Sequence, residues 1–188
     1  KILMIDPNAD LEQILAGISP ESQTDREVLL KTLSTSKEKD NPSILVLIAG
    51  LEAQNGQFDH ALITINRALR KRPKVTGFIL MKANLLTVLG DEQETLKWYD
   101  KSSRKHRDNL EVRLAEAKYL IKLNQSETAL KKLESILKKW PKQEEALFLA
   151  GLTSIDLKQY EDAEKEANQL TESIKNNLYN NYLDKDKI

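Results

Sequence analysis

Apolar residues in the middle of the chain recur at steps of three and four, which is the spacing of an amphipathic helix. In residues 41–54 these positions are Ile44, Leu45, Leu47, Ile48 and Leu51. A second series, from about Asp59 to Pro73, comprises Ala61, Leu62, Ile65, Ala68 and Leu69. An Asn-Gly pair between the two series is a turn signal, and proline ends a helix. The pattern therefore predicts two helices joined by a short turn.

This helix pair recurs along the chain every 34 residues. One column of small residues comprises Ala49, Ala83, Ala117 and Gly151, and a second comprises Ala61, Thr95, Ala129 and Ala163. Gly56 and Gly90, Phe58 and Tyr160, and Pro73 and Pro141 keep the same step or a multiple of it. A 34-residue unit with small residues in both halves, a turn glycine and a closing proline resembles the tetratricopeptide repeat (TPR).

The resemblance implies an all-α fold, a right-handed superhelical solenoid of antiparallel helix pairs that forms one continuous domain. The predicted repeats are residues 41–75, 76–109, 110–143 and 144–177, followed by a capping helix or tail at 178–188. Residues 1–40 are less regular and fit either a degenerate repeat or an unrelated pair of capping helices. In that region Pro7 takes the closing position of a preceding repeat, Gly17 takes a small-residue position, Ser19-Pro20 starts a helix, and Thr24 with Glu27 is predicted to form a capping box.

The small residues have a physical reason, since helix backbones approach closely where the two helices of a pair cross and where pairs stack. We therefore expect Ala61, Ala129 and Ala163 to be buried. Glycine at the turn between helices permits a positive φ, and Asn124 tolerates that conformation in the third repeat. Lys158 occupies the turn position of the fourth repeat and is expected either to be strained or to use another turn.

Composition agrees with a helical protein. The chain has 188 residues, of which 40% are hydrophobic, 5% aromatic and 31% charged. It has no cysteine, which excludes disulfides, thiolate catalysis and cysteine zinc sites. We find no run of 18 apolar residues and therefore expect no membrane-spanning segment. The expected location is that of a soluble segment, either periplasmic or cytoplasmic. The first residue is Lys1, so we expect a fragment or a processed form of a longer protein.

Residues that carry chemistry are scarce. His60 and His106 have no His or Cys at ligand spacing, and the carboxylate pairs Glu144-Glu145 and Glu161-Asp162 lie at predicted helix starts, where they complement the helix dipole. Gly-rich phosphate loops and hydrolase or metalloprotease motifs are missing. We predict a protein that is not an enzyme and needs no cofactor or metal.

By the TPR pattern, the first helices line a concave groove through their fifth, ninth and twelfth positions. The predicted partner-binding residues are Val46, Leu80, Asn84, Leu114, Lys118, Ile121, Phe148 and Leu152. Such an apolar series suits another protein, bound as a helix or as an extended peptide with apolar anchors. We expect Leu80, Leu114 and Phe148 to be partly exposed, the alternative being that some of these side chains are core.

Some TPR proteins grip the acidic C-terminal tails of Hsp70 and Hsp90 through a clamp of Lys, Asn and Arg side chains. The corresponding residues here are Val46, Gly50, Asn84, Glu111 and Ala115, of which Asn84 alone matches. The comparison argues against a carboxylate clamp in this register.

A basic edge is the alternative site. Arg70, Arg104 and Lys138 keep the 34-residue step, as do Lys71, Lys105 and Lys139. Residues 41–143 hold 19 Lys and Arg against 11 Asp and Glu, a net charge of +8. Two functions therefore stay open: a scaffold for protein partners, or a module that binds an anionic polymer such as a polysaccharide or nucleic acid. Cations in the last turn of a helix also stabilise that helix, which accounts for the same residues without a ligand.

Overall fold

The computed structural model describes the backbone of residues 22–185 and the side chains of residues 22–177. Within this range every regular element is a helix, and no strand occurs. The helices are α1 (Gln23–Thr35), α2 (Pro42–Gln54), α3 (Phe58–Lys71), α4 (Thr76–Val88), α5 (Glu92–Lys105), α6 (Leu110–Lys122), α7 (Ser126–Leu137), α8 (Glu144–Asp156) and α9 (Tyr160–Lys185). The predicted all-α fold is confirmed.

Helices pack against their neighbours in sequence order. The chain divides into two compact units between His106 and Arg107. In the N-terminal unit α2 packs against α1 and α3, and α4 packs against α3 and α5. In the C-terminal unit α7 lies against α6 and α8, α8 also contacts α9, and a smaller contact joins α6 to α8. Short connections make successive helices antiparallel, so each apolar face is buried against the next helix.

Side-chain caps fix several helix starts. Pro42 occupies the first turn of α2, and the Asn41 side chain accepts a hydrogen bond from the Ser43 amide at 3.0 Å. The predicted capping box of Thr24 and Glu27 is wrong. Ser22 is the N-cap of α1 instead: its extended backbone leaves its hydroxyl free to accept from the Asp25 amide at 3.1 Å and to donate to the Asp25 carboxylate at 2.7 Å.

The turns within the four helix pairs share one backbone conformation. Positive φ angles occur at Gly56 (75°), Gly90 (76°), Asn124 (56°) and Lys158 (61°). At the last of these, the Gln159 amide donates to the Ser154 carbonyl at 2.8 Å, as the Gln57 amide does to the Glu52 carbonyl. These bonds satisfy carbonyls that a helix end would otherwise leave unpaired. Lys158 therefore adopts the glycine conformation rather than another turn.

Lys158→Gly is expected to raise the free energy of unfolding by about 1 kcal/mol, because a left-handed φ costs a lysine roughly 1 to 2 kcal/mol and costs glycine little. Urea denaturation measures the change. Gly56→Ala is the matched control in the opposite direction: no heavy atom lies within 4 Å of the added Cβ, so its destabilisation reports the φ cost alone. Unchanged stability in Lys158→Gly would show that the turn carries no strain.

Both columns of small residues lie at helix contacts. Fully buried are Ala49, Ala61, Ala83, Thr95, Ala117 and Ala129. Ala163 is also buried, and Gly151 is half-buried. A Cβ added at Gly151 would lie 3.9 Å from the Ala163 carbonyl oxygen and from the Glu166 Cβ, which is ordinary contact. The predicted burial of the second-column alanines is confirmed.

The described residues of the C-terminal unit include a defined core and an ion pair with a buried carboxylate. Its core cluster comprises Leu114, Ala117, Leu130, Leu133, Ile136, Ala146 and Ala150, drawn from α6, α7 and α8. Beside it, the buried Glu116 carboxylate on α6 accepts a hydrogen bond from Lys132 on α7 at 2.5 Å. A buried carboxylate needs such a partner, so the pair fixes the register of α6 against α7.

The chain ends are described in part. Helix α9 continues without a break to Lys185, so residues 178–185, predicted as a separate cap, extend the last helix. Pro7, Gly17, Ser19 and Pro20 lie outside the described residues, as do residues 186–188.

Among the helices that are described, none combines the length and apolar character needed to cross a membrane.

Candidate partner-binding surface

Three apolar side chains lie exposed along one face of α8. Phe148, Leu152 and Ile155 follow one another at steps of four and three, and their exposed fractions are 53%, 47% and 51%. The opposite face holds the buried Ala146 and Ala150, which belong to the core of the C-terminal unit. Helix α8 is therefore apolar on both faces, and one of them is open to solvent. We name these three exposed residues the α8 strip.

An ion pair marks one end of the strip. Lys118 on α6 pairs with Glu145 in the first turn of α8, and both side chains are about half exposed. Ile121, one turn further along α6, is half-buried and packs against the core cluster. Two of the predicted groove residues, Lys118 and Ile121, thus belong to α6, one of the helices that contact α8.

Two other predicted groove residues are core. Leu114 is only 6% exposed, and Val46 is also buried, so the expectation of a partly exposed Leu114 is wrong. The physical reason is that both α7 and α8 pack against α6 and supply the residues that cover Leu114. Phe148 holds the equivalent position on α8, where no described helix covers it.

In the N-terminal unit the corresponding positions lie on α4. Leu80 is half-buried and Asn84 is exposed. Val88, one further turn along the same face, is 58% exposed. This face is more polar than the α8 strip, because the exposed Asn84 separates the two apolar side chains.

The six residues of the predicted basic edge are all exposed. Arg70 and Lys71 lie in the last turn of α3, Arg104 and Lys105 in the last turn of α5, and Lys138 and Lys139 directly after α7. Two of them have local partners: Arg104 donates to Asp100 at 3.0 Å, and Lys139 pairs with Asp108 and lies 4.9 Å from the centroid of the Trp140 ring. A role in binding an anionic polymer stays a prediction.

A cavity that the sequence did not reveal lies in the N-terminal unit. It has a volume of about 310 Å³. Its walls come from α3, from Pro73 and from α5, and comprise Asn66, Leu69, Arg70, Pro73, Trp98, Lys101, Ser102, Lys105 and His106. The sequence pattern had placed Arg70 and Lys105 on the basic edge, Leu69 in an apolar series and Pro73 at a helix end, but it did not predict that they line one cavity. The sequence contains one signal of this cavity, which is Trp98. This tryptophan takes a repeat position that holds Thr64 in the preceding repeat and Lys132 in the following one.

The described His, Asp and Glu side chains form no cluster of metal ligands. Among the residues described, no group of three His, Cys, Asp or Glu side chains is arranged to hold a metal ion. His60 is exposed at the start of α3. Glu144 and Glu145 lie in the first turn of α8, and Glu161 and Asp162 in that of α9, where their charge complements the helix dipole.

Comparison with known proteins supports the repeat architecture. Residues 114–177 match the family model of the tetratricopeptide repeat. No curated protein matches the sequence. The repeat match, together with the helix order, makes the chain an all-α helical repeat protein with the TPR fold.

Solved structures of TPR proteins share this fold. MamA superposes with a TM-score of 0.67 at 11% identity, covering 95% of this chain and 99% of that one. YrrB, described as a TPR protein with an unusual peptide-binding site, gives 0.58 at 15% identity, with coverages of 86% and 81%. A TPR protein from Parabacteroides merdae gives 0.59 at 24% identity and covers 70% of this chain, which spans about half (52%) of that protein. Identities this low show the fold alone.

Proposed function

We propose that this chain is a non-enzymatic scaffold that binds another protein on the α8 strip and so helps to assemble a larger complex. The observation that carries the proposal is the open apolar face formed by Phe148, Leu152 and Ile155. Contiguous apolar surface on a folded protein commonly marks an interaction site. The TPR fold is typical of interaction modules, and YrrB is a relative in fold with a peptide-binding site.

The partner that fits is an amphipathic helix. Side chains at steps of four and three form a straight ridge along α8, and a second helix that packs along such a ridge buries its own i, i+3, i+4 and i+7 positions. Burial of apolar area contributes roughly 25 cal/mol per Å², so each of the three side chains should add on the order of 1 to 2 kcal/mol. Lys118 and Glu145 provide polar contacts at the rim.

The predicted groove takes a different form in this proposal. Val46 and Leu114 are core residues beneath this surface, and they hold their helices, α2 and α6, in place. Leu80, Asn84, Lys118, Ile121, Phe148 and Leu152 remain available at the surface or half-buried. We assign the main contacts to Phe148 and Leu152, because they are the exposed apolar members of the set.

The partner segment is to be identified by photo-crosslinking from position 152, with a photoreactive residue at the exposed Thr128 as the control site. Affinity for the synthetic segment is then measured by calorimetry. Phe148→Glu and Leu152→Glu should each weaken binding by about tenfold or more, while helicity stays unchanged. Ile63→Glu, at an exposed apolar residue of α3 that is not part of the strip, is the matched control and should bind normally.

Salt and charge reversal separate this function from the alternative. Binding to an apolar strip should depend weakly on ionic strength, whereas binding of a polysaccharide or nucleic acid to the basic edge should weaken steeply with added salt. If Arg104→Glu with Lys138→Glu abolishes binding and Leu152→Glu does not, the anionic-polymer function replaces the proposed one.

A further inference from the structure

We infer that the cavity between the C-terminal ends of α3 and α5 binds a small phosphate monoester that carries an apolar group. This site lies in the N-terminal unit and is independent of the α8 strip. We name it the α3–α5 cavity. Its volume, about 310 Å³, falls at the small end of the range for ligand pockets and suits one small molecule rather than a polymer.

The cavity is lined by both cationic and apolar residues. Arg70 enters from the last turn of α3, and Lys101 and Lys105 enter from α5. Leu69, Pro73 and the indole of Trp98 form the apolar wall, and Asn66 and Ser102 add polar groups. None of the lining residues is acidic. An anionic group with an attached apolar body matches both kinds of lining residue.

The three cations of the cavity are not neutralised by neighbouring acids. Among the described residues, Arg70, Lys101 and Lys105 have no ion pair with a carboxylate. By contrast, Arg104 on the same turn of α5 pairs with Asp100. Three cations that line one cavity without carboxylate partners repel one another, so an anion that enters the cavity relieves that repulsion.

Titratable groups around the cavity respond to this positive charge. Burial lowers the pKa of His106, and the charges of Lys105 and Lys74 lower it further, against a hydrogen bond to the Pro73 carbonyl that raises it. Burial also lowers the pKa of Lys82, with Glu94 raising it and Lys101 lowering it. Lysines that line the cavity thus help to lower the pKa of two separate groups, His106 and Lys82. This agrees with the positive electric field expected from the lining residues.

The apolar wall is held rigidly. The indole Nε1 of Trp98 donates to the Ile79 carbonyl at 3.0 Å, and the Lys82 ammonium lies 4.1 Å from the ring centroid. A tryptophan fixed in this way loses little conformational freedom when a ligand packs against it. The wall is therefore preformed for the apolar part of a ligand.

Phosphate fits the three cations of the cavity better than a single carboxylate does. A phosphate monoester carries about −1.5 to −2 charges at pH 7 and three acceptor oxygens, so it can pair with more than one cation. Arg70 can bind two of its oxygens through the planar guanidinium, and lysines act as point charges on the others. A monocarboxylate would leave two of the three cations unmatched.

The test uses phenyl phosphate as the probe and Trp98 as the reporter. Trp140→Phe leaves Trp98 as the single tryptophan of the chain, so its indole N–H signal in an NMR titration reports on the cavity. We expect saturable binding of phenyl phosphate, weaker binding of inorganic phosphate, and weaker binding of benzenesulfonate, which carries one charge. Arg70→Gln and Lys101→Gln should each raise the Kd by about tenfold.

Matched controls lie on the same helices. Lys71 is adjacent to Arg70, is also exposed and does not line the cavity, and Arg104 has the same relation to Lys105. Lys71→Gln and Arg104→Gln remove the same charge and should leave the Kd unchanged. If they weaken binding as much as Arg70→Gln does, the site is a diffuse ionic attraction and the inference fails. Equal affinity for phenyl phosphate and inorganic phosphate overturns the apolar part of the assignment.

Discussion

Ala129→Asp is expected to lower the free energy of unfolding by about 3 to 5 kcal/mol. Ala129 is fully buried on α7, which is enclosed by α6 on one side and α8 on the other. An aspartate there must either remain charged without a partner or bind a proton, and its larger volume forces the neighbouring helices apart. Both effects act in the same direction.

One opposing effect is present and is too small to change the sign. Ala129 lies close to the start of α7, where a negative charge gains about 0.3 to 1 kcal/mol from the helix dipole. Thr128→Asp is therefore the matched control, since Thr128 is exposed and shares the dipole but not the burial. We expect its stability to change by no more than about 0.5 kcal/mol.

Thermal and urea denaturation measure both variants. Stability in a repeat protein is approximately a sum over units and their interfaces, so hydrogen exchange in Ala129→Asp should rise first in α6, α7 and α8. A melting temperature equal to that of the parent would mean that the column containing Ala129 does not form the core.

The helix order was predictable from the sequence because packing in a repeat is local. Each small residue of the two columns meets a helix that adjoins it in the chain, so a fixed period implies a fixed contact. The turn at Lys158 shows the strength of this constraint. Its backbone takes the conformation of Gly56 although its side chain disfavours it, because the bond from the Gln159 amide to the Ser154 carbonyl satisfies the end of α8.

The exposure of side chains that share one repeat position was not predictable in the same way. Leu114 and Phe148 hold one position of the repeat, yet the first is core and the second is half exposed. The difference depends on what covers each helix: α7 and α8 both pack against α6, whereas the outer face of α8 is left open among the described residues. A repeat period in the sequence predicts where a side chain lies on its helix. It does not predict which neighbouring helices cover that side chain.

Residues that depart from the 34-residue period were still harder to assign a role from the sequence. Trp98 and Lys132 are one repeat apart and serve different purposes: the first forms a wall of the α3–α5 cavity, and the second neutralises the buried Glu116. A period identifies what repeats share. The residues that distinguish one repeat from the next supply the individual sites, and their contacts become visible only when the helices are placed.

Leu114→Glu and Leu152→Glu make the same substitution in two environments. Leu114 packs in the core of the C-terminal unit, so its replacement by glutamate removes apolar contacts and buries a charge without a partner. We expect a loss of about 3 to 5 kcal/mol in the free energy of unfolding. Leu152 is half exposed on α8, where a glutamate stays hydrated, and we expect a change of no more than about 1 kcal/mol.

Urea denaturation of the two variants, together with binding to the partner segment, separates stability from function. Both substitutions should weaken binding, but for different reasons: Leu114→Glu because it destabilises the unit, and Leu152→Glu, by about tenfold or more, because a charge replaces an apolar contact on an intact fold. Equal destabilisation by the two variants would show that α8 is covered on both faces, and the α8 strip would then be core. A stable Leu114→Glu variant would instead return Leu114 to the binding surface that the repeat pattern predicts.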